Sequence, residues 1–481
     1  TGILPTISKN ELEIEYMTPN PRYWVLNNMM KTIRGEDFEL KLRGVDELTI
    51  NHDSVLFEAC NTSFQMHLQV APDDFISSYN WAQAIAGPIL GISTNSPLLL
   101  GRELWAETRI ALFQQSIDTR SSSFALKNQQ ARVTFGDTWA SGNVADIFRH
   151  EIARYKVILS KVVDTNSLAD LKEGNTPKLK ALNMHNSTIY RWNRPCYGTG
   201  GGKAHVRIEN RYIPSGPTTL DEMANFAFWV GVMVGRPEKY DKMWKVMDFR
   251  DAKANFIKAA RTGKESVLIW DGELISCRDL VLNELLPIAE KGLRKVGIDQ
   301  ADIHRYLDVI QARAKGQTGS QWMVRNYRNL IKTMKEDDAL LSLTKAIYEN
   351  QWENTPVHNW EDIKESETHK SASVISHIMS TQLFSVTDTD LAELATSIMK
   401  WTGIHHIPVE DKKGNLVGIL TWTHMKNFQE NVETDENMLV SDIMVKKVHT
   451  ADPETKISSA IELMKEYEIG CLPVTDGHHL V

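Results

Sequence analysis

The 481-residue sequence contains little cysteine. Its four cysteines, Cys60, Cys196, Cys277 and Cys471, lie far apart, and no CxxC pair occurs. This spacing gives little support to a disulfide framework or to a structural zinc site. We therefore expect reduced thiols in a cytoplasmic protein, with all four cysteines serving as packing or incidental residues.

Long apolar runs and an excess of positive charge are also missing. The most apolar stretches, residues 226–235 and 80–101, are too short or too interrupted by polar side chains to span a membrane. A net charge of -8 argues against a nucleic-acid-binding surface over the whole chain, but it allows a local basic pocket. Because 42% of the residues are hydrophobic and 24% charged, we expect a soluble globular protein of about two or three domains.

Hydrophobic periodicity predicts a mixture of strands and helices over the first 350 residues. Residues 64–70 alternate apolar and polar side chains, which is typical of a half-buried strand, and residues 205–213 do the same. Residues 46–55 also fit a strand. Helices are predicted for six segments, which are residues 75–90, 101–115, 220–234, 250–261, 278–292 and 303–315.

The last hundred residues contain an internal repeat. Five landmarks recur at a constant offset of 65 residues without a gap, which indicates two copies of one supersecondary unit. The paired landmarks are Ile378 with Ile443, Ala395 with Ala460, Met399 with Met464, Ile404 with Ile469, and Pro408 with Pro473.

Three polar faces stand out before the repeat. His67 and Gln69 share one face of the strand at residues 64–70, and Arg207, Glu209 and Arg211 share one face of the strand at residues 205–213. A glycine cluster at residues 198–202 precedes the second strand, but it lacks the spacing of a P-loop.

The third face belongs to the predicted helix at residues 101–115. Arg102 and Arg109 are seven residues apart, so on a helix they share a face suited to binding carboxylate or phosphate. Each of the three faces alone also fits an ordinary solvated surface. Together they favour one arginine-rich cleft for a polyanion accompanied by Mg²⁺.

Four segments of the chain resemble the glutamate–cysteine ligase family, in the carboxylate–amine ligase branch of the glutamine synthetase-like superfamily. They are NTSFQMHLQV at residues 61–70, AQAIAGPILGISTNSPLLLGR at 82–102, RWNRPCYGTGG with IENRYIPSGPT at 191–218, and TGSQWMVR at 318–325. The resemblance covers roughly residues 1–345. It implies an α+β fold with a curved antiparallel sheet around an ATP and Mg²⁺ cleft.

The resemblance also implies an activity. ATP would phosphorylate the γ-carboxylate of glutamate, and the amine of an amino acid, usually cysteine in glutathione biosynthesis, would attack the acyl phosphate. Glu209 would be a metal ligand and Arg211 a phosphate clamp. His67, Gln69 and Arg207 would line the nucleotide, and Arg102 or Arg109 would hold substrate carboxylates.

One strand that supplies metal carboxylates in this family has no clear counterpart here. We therefore expect that strand to lie upstream of residue 1. A ligase-like protein that binds nucleotide without catalysis remains the alternative to an active ligase.

The repeat resembles a pair of CBS domains. We expect a linker at residues 346–372 and an α/β CBS pair at residues 373–481, with the second repeat ending early. The resemblance implies adenine-nucleotide binding, regulation of the attached enzyme and homo-oligomers. Thr421 occupies the family's hydroxyl position, whereas His424 replaces the usual ribose-binding aspartate, which leaves a purely structural role open.

Overall fold

The computed structural model describes the chain except for residues 13, 53, 121–130, 161, 164–165, 365–373, 382, 424 and 426–437. The chain divides into two compact units, Thr1–Glu367 and Thr368–Val481. Within the described residues, no helix is both long enough and apolar enough to cross a membrane.

The first unit combines small sheets with many helices. Its strands are β1 Phe38–Arg43, β2 Glu47–His52, β3 Met66–Val70, β4 Leu98–Leu99, β5 Arg102–Glu103, β6 Val133–Thr134, β7 Tyr190–Arg191, β8 Asn193–Gly200, β9 Lys203–Asn210, β10 Val267–Trp270 and β11 Glu273–Ser276. Its helices are α1 Pro21–Arg34, α2 Phe75–Ala84, α3 Ala86–Ser93, α4 Thr108–Ser116, α5 Val144–Arg154, α6 Ser167–Lys172, α7 Lys180–Asn186, α8 Thr219–Val234, α9 Phe249–Thr262, α10 Cys277–Leu280, α11 Leu286–Lys295, α12 Gln300–Lys315, α13 Gly319–Leu330 and α14 Glu336–Glu353.

A three-stranded antiparallel sheet has the order β3-β9-β8. Strands β8 and β9 form a hairpin whose two-residue turn is Gly201–Gly202, with φ of 56° and 74°. Two consecutive positive φ values are those of a type I′ turn, which glycine adopts without steric cost. The predicted glycine cluster therefore closes the hairpin. The alternating residues of β9 bury Val206 and Ile208 in the core.

Helices cover the core of this unit. Thr218 caps the N-terminus of helix α8, and its side chain accepts a hydrogen bond from the backbone N–H of Asp221. Helix α8 packs against α11 and α12. The contact with α11 is close, because a Cβ added to Gly292 would lie 2.0 Å from the carbonyl oxygen of Gly231. Helix α3 is buried on every side, which agrees with its apolar sequence.

The structure departs from the sequence predictions in two places. The helix expected at residues 101–115 begins at Thr108, so Arg102 lies in β5 and does not share a helix face with Arg109. Part of the predicted linker at residues 346–372 is also packed, because Ile347, Val357 and Trp360 are buried in one cluster with α13 and α14. The first unit therefore extends beyond residue 345, to at least Trp360 among the described residues.

The second unit repeats one motif. It contains β12 Val386–Thr387, α15 Ala392–Thr402, β13 His406–Glu410, β14 Leu416–Thr421, α16 Val440–Ile443, α17 Ile457–Glu466, β15 Thr475–Asp476 and β16 His479–Leu480. Val386 pairs in parallel with Val409, and the same pairing recurs 65 residues later between Ala451 and Val474.

The two copies also exchange contacts. Leu391 forms an antiparallel bridge with Leu439 of the second copy, and the equivalent pair, Val374 and Lys456, forms the reciprocal bridge. This exchange confirms the repeat in three dimensions.

Candidate functional site

Polar side chains form two rows across one face of the sheet β3-β9-β8. His67 of β3 lies opposite Glu209 of β9, and Glu209 lies opposite Arg194 of β8. The neighbouring row consists of Gln69, Arg207 and Cys196. Because side chains alternate along each strand, both rows point to the same face of the sheet.

Glu209 lies at the centre of this face and is 1% exposed. One carboxylate oxygen accepts a hydrogen bond from Nε of Arg194 at 2.6 Å and lies 3.3 Å from Sγ of Cys196. The other oxygen lies 3.7 Å from Nε of Arg211 and 3.8 Å from Nε2 of His67. A single buried carboxylate is thus surrounded by cationic and hydrogen-bonding groups.

The electrostatic balance keeps this carboxylate ionised. Burial alone would raise the pKa of Glu209, but the charges of Arg194 and Arg211 outweigh it and hold the pKa below its usual value. Partial burial lowers the pKa of His67, assisted by the neighbouring arginines, although Glu209 opposes the shift. His67 is therefore neutral at pH 7.

Arginines gather on and beside this face. Arg194 and Arg211 lie near Glu209, Arg207 lies in the neighbouring row, and the charge of Glu58 acts on Arg211 from outside the sheet. Nε of Arg207 and both Nε and Nη1 of Arg211 are buried and lack a hydrogen-bond partner among the described residues. Buried guanidinium nitrogens without partners are costly, and an anion of a ligand would satisfy them.

Three groups could also bind a metal ion. Among the described residues, His67, Cys196 and Glu209 form the one such cluster, with donor atoms all within 4.8 Å of one another. Mg²⁺ prefers six oxygen ligands, whereas this set offers one carboxylate, one imidazole and one thiol. Without the phosphates of a nucleotide, the donor set does not fit Mg²⁺.

The remaining predicted residues of the first unit lie elsewhere. Arg102 is exposed in β5, where its charge acts on Glu336. Arg109 is 2% exposed, and its Nη1 lies 3.4 Å from Glu107 and 3.3 Å from the carbonyl oxygen of Tyr212. Arg109 thus supports the segment that follows β9, and its pairing with Glu107 explains its burial.

In the second unit, Thr421 ends β14 and is partly buried. His424 lies outside the described residues.

Two residues of the site do not appear among the candidates that the sequence provides. Arg194 belongs to the run RWNRP, and Cys196 follows it on the same face of β8. Their two-residue spacing and the glycine turn were the available signals. The expectation that all four cysteines are packing or incidental residues stays a prediction, and the thiol of Cys196 lies 3.3 Å from Glu209. Burial, followed by the charge of Glu209, raises the pKa of this thiol to about 11.

Comparison with known proteins defines the class of the chain. The model of glutamate–cysteine ligase family 2 (GCS2) matches residues 1–348, and the CBS domain model matches residues 375–430 and 440–481. The chain therefore belongs to the GCS2 family and carries a CBS domain pair. The family takes its name from a ligase, glutamate–cysteine ligase.

The curated relatives cover much shorter segments. A homoserine O-acetyltransferase from Methanococcus vannielii is 35% identical over 112 residues, which is 23% of this chain and 23% of the relative. The chain thus spans about a quarter of that relative's length. The CBS domain-containing protein YhcV from Bacillus subtilis is 28% identical over 109 residues, covering 23% of this chain and 77% of YhcV.

One similar solved structure is CBSX2 in complex with AMP. It is 20% identical, with a TM-score of 0.21, and the similarity covers 23% of this chain and 87% of CBSX2.

Proposed function

We propose that the protein is an ATP-dependent carboxylate–amine ligase that activates glutamate and joins it to the amine of an amino acid, with cysteine as the expected acceptor. The γ-phosphoryl group of ATP passes to the γ-carboxylate, and ADP leaves. The amine then attacks the acyl phosphate, phosphate departs, and the amine loses a proton as the amide forms. With cysteine as acceptor, the product would be a precursor in glutathione biosynthesis.

The observation that carries this proposal is the excess of arginine around Glu209 in a member of the GCS2 family. Phosphoryl transfer moves negative charge through the site, and the protein's main contribution to it is positioning and charge neutralisation. The unpartnered nitrogens of Arg207 and Arg211 are suited to bind phosphoryl oxygens. Glu209 attracts Arg211 across 3.7 Å and accepts a hydrogen bond from Arg194, and His67 offers one more hydrogen bond.

Mg²⁺ belongs to the proposal as the counter-ion of ATP. Mg²⁺ is often bound through one or two carboxylates together with substrate phosphates. Glu209 is the carboxylate that this sheet face would supply. Gln69, which is exposed opposite Arg207, would line the nucleotide. Arg109 would act through the segment after β9, and Arg102 would hold a substrate carboxylate at the surface.

We also propose that the CBS pair binds an adenine nucleotide and regulates the ligase, with Thr421 at the ligand. Homo-oligomers of this chain are part of the same proposal. Calorimetry with AMP and with ATP on the full chain tests the nucleotide claim. Saturable heat that persists when Glu209 is changed would support a second nucleotide site, and its loss in that variant would contradict one.

The ligase proposal is tested by Glu209→Gln, with release of ADP measured across a panel of amino acids. Glutamine keeps the shape and one hydrogen-bond acceptor but removes the charge that positions the arginines, so ADP release should fall by at least about 100-fold. The matched control is Glu151→Gln. Glu151 is also a buried carboxylate paired with an arginine, Arg191, but it lies outside the two rows.

Equal losses of ADP release in the two variants would show that the effect comes from reduced stability. Full ADP release by Glu209→Gln would refute the role proposed for Glu209. If the protein binds ATP but releases no ADP with any amino acid of the panel, the result would favour the alternative, a ligase-like protein that senses nucleotide. The metal-binding cluster of the described residues contains one carboxylate, that of Glu209, and this keeps the alternative in view.

A further inference from the structure

We propose that His67, Cys196 and Glu209 bind a thiophilic divalent cation of the zinc type, in competition with Arg194. This site goes beyond the ligase function, because it needs neither nucleotide nor amino acid. Binding of the cation would draw Glu209 away from the arginines and so inhibit the ligase reaction proposed for this sheet face.

The geometry of the three donors carries the proposal. Sγ of Cys196 lies 3.3 Å from one oxygen of Glu209, Nε2 of His67 lies 3.8 Å from the other, and all three donor atoms fall within 4.8 Å. Zinc binds sulfur at about 2.3 Å and nitrogen or oxygen at about 2.0–2.2 Å, so donors of one tetrahedron lie roughly 3.3–3.7 Å apart. Small side-chain rotations would therefore bring the three donors onto one ion.

The sheet register makes this arrangement rigid. The three donors come from three neighbouring strands, and Glu209 pairs directly with His67 across the sheet. Sites built on strands hold their ligands more accurately than sites built on loops. His67 is the most exposed of the three, with 39% of its side chain accessible. The fourth position of the ion would therefore face solvent, as in zinc sites that keep an open coordination position.

The chemistry of the donors selects the ion. A thiolate and an imidazole favour zinc and related soft cations over Mg²⁺. When the metal–sulfur bond forms, the thiol of Cys196 gives its proton to solvent, and no oxidant or reductant is needed. His67 would bind through the lone pair of a ring nitrogen, and any proton on that nitrogen would likewise pass to solvent.

The positive charge of Arg194 opposes binding of the cation, so the metal affinity of the site depends on this residue. Nε of Arg194 bonds the same oxygen of Glu209 that lies beside Cys196. A cation that takes this oxygen must displace Arg194 and must also overcome the charges of Arg207 and Arg211. We therefore expect an affinity below that of a structural zinc site, and we expect it to increase when Arg194 is removed.

Metal binding to the full chain tests the proposal. Purified protein is treated with a chelator and then titrated with Zn²⁺ against a chromophoric competitor, without nucleotide or amino acid. Changing Cys196→Ser should weaken binding by at least about 100-fold, since even residues that only support a ligand change metal affinity by about 10- to 100-fold. Cys60→Ser is the matched control, because Cys60 is similarly buried but lies in another cluster.

A second measurement identifies the ligand directly. Co²⁺ added to the metal-free protein should produce the near-ultraviolet charge-transfer absorption of a cobalt–thiolate bond, and this band should survive in a Cys60→Ser, Cys277→Ser, Cys471→Ser variant. Arg194→Met should increase the Zn²⁺ affinity.

Unchanged Zn²⁺ binding in Cys196→Ser, or a cobalt complex without the thiolate band, would overturn the proposal. If Cys196→Ser does not fold, the band in the variant that keeps only Cys196 decides the question. All of these readouts are independent of turnover, so a protein inactive as a ligase could still pass them, and an active ligase could fail them.

Discussion

Two of the buried carboxylates that pair with arginine in the first unit, Asp221 and Glu209, have different surroundings. Asp221 at the start of α8 pairs with Arg313 of α12 at 2.7 Å, and both residues are almost completely buried. Asp221 also accepts hydrogen bonds from the hydroxyl of Thr218 and the backbone N–H of Val357. Glu209, by contrast, lies near two arginines, Arg194 and Arg211, on a partly open sheet face.

The difference separates a structural charge pair from a ligand site. Asp221 and Arg313 balance each other one to one, and they connect α8, α12 and the segment at Val357. Near Glu209, Arg207 and Arg211 together keep three buried nitrogens without a hydrogen-bond partner among the described residues, whereas Arg313 keeps one, Nε. Such donors, set beside a partly exposed sheet face, are suited to bind an anionic ligand.

The largest expected effect is on stability, in Asp221→Asn. The change leaves Arg313 charged and buried without a counter-charge, which typically costs about 3–5 kcal/mol. Urea unfolding of the first unit measures the loss. Asp248→Asn is the control, because Asp248 pairs with Arg250 in an exposed position and should give no measurable change.

Equal stability of the Asp221→Asn variant and the unchanged protein would contradict the comparison. It would mean that the Asp221 pair is not structural and that burial alone does not distinguish the two sites.

A smaller effect on stability is expected for Arg211→Met. The lost attraction to Glu209 and Glu58 is offset by relief of repulsion from Arg194 and of the desolvation of Arg211, so the free energy of unfolding should change by less than ~1 kcal/mol. ADP release should nevertheless fall strongly. Arg191→Met is the matched control, since it breaks a one-to-one buried pair with Glu151 and should destabilise the fold.

A large loss of stability in Arg211→Met would place Arg211 with the structural arginines. Chemical denaturation and single-turnover ADP release on the same samples measure both quantities.

The smallest expected effect is in the pH dependence of stability. The folded pKa of Glu209 lies below its unfolded value, so this carboxylate contributes stability that is fully present above about pH 4.5 and is lost as the pH falls through the folded pKa. Unfolding midpoints of the unchanged protein should therefore decrease more steeply below about pH 4.5 than those of Glu209→Gln. Parallel curves would contradict the lowered pKa.

Much of the sheet face could be predicted from the sequence. The alternation of Arg207, Glu209 and Arg211 placed them on one face, and in the structure Arg211 and Glu209 lie 3.7 Å apart. The pairing of β8 with β9 could also be predicted from the sequence. Once Gly201–Gly202 is taken as a two-residue turn, the hairpin register places Arg194 opposite Glu209 and Cys196 opposite Arg207.

Other features could not be obtained from local patterns. The pairing of His67 with Glu209 joins segments about 140 residues apart, and no short-range rule sets that register. The helix predicted at residues 101–115 forms only from Thr108, because Arg102 and Glu103 pair with β4 through the tight turn Leu100–Gly101, which helix periodicity alone does not show. Burial of Trp360 likewise depends on α13, so the polar composition around it was misleading.

The connectivity of the sheet has a consequence for the order of folding. Strands β8 and β9 are joined by a two-residue turn, so Arg194, Cys196 and Glu209 can meet as soon as the hairpin forms, a process of about microseconds. Strand β3 reaches the same sheet only after a far longer loop has closed, which delays pairing. We therefore expect the arginine–glutamate contacts to form early and His67 to arrive late.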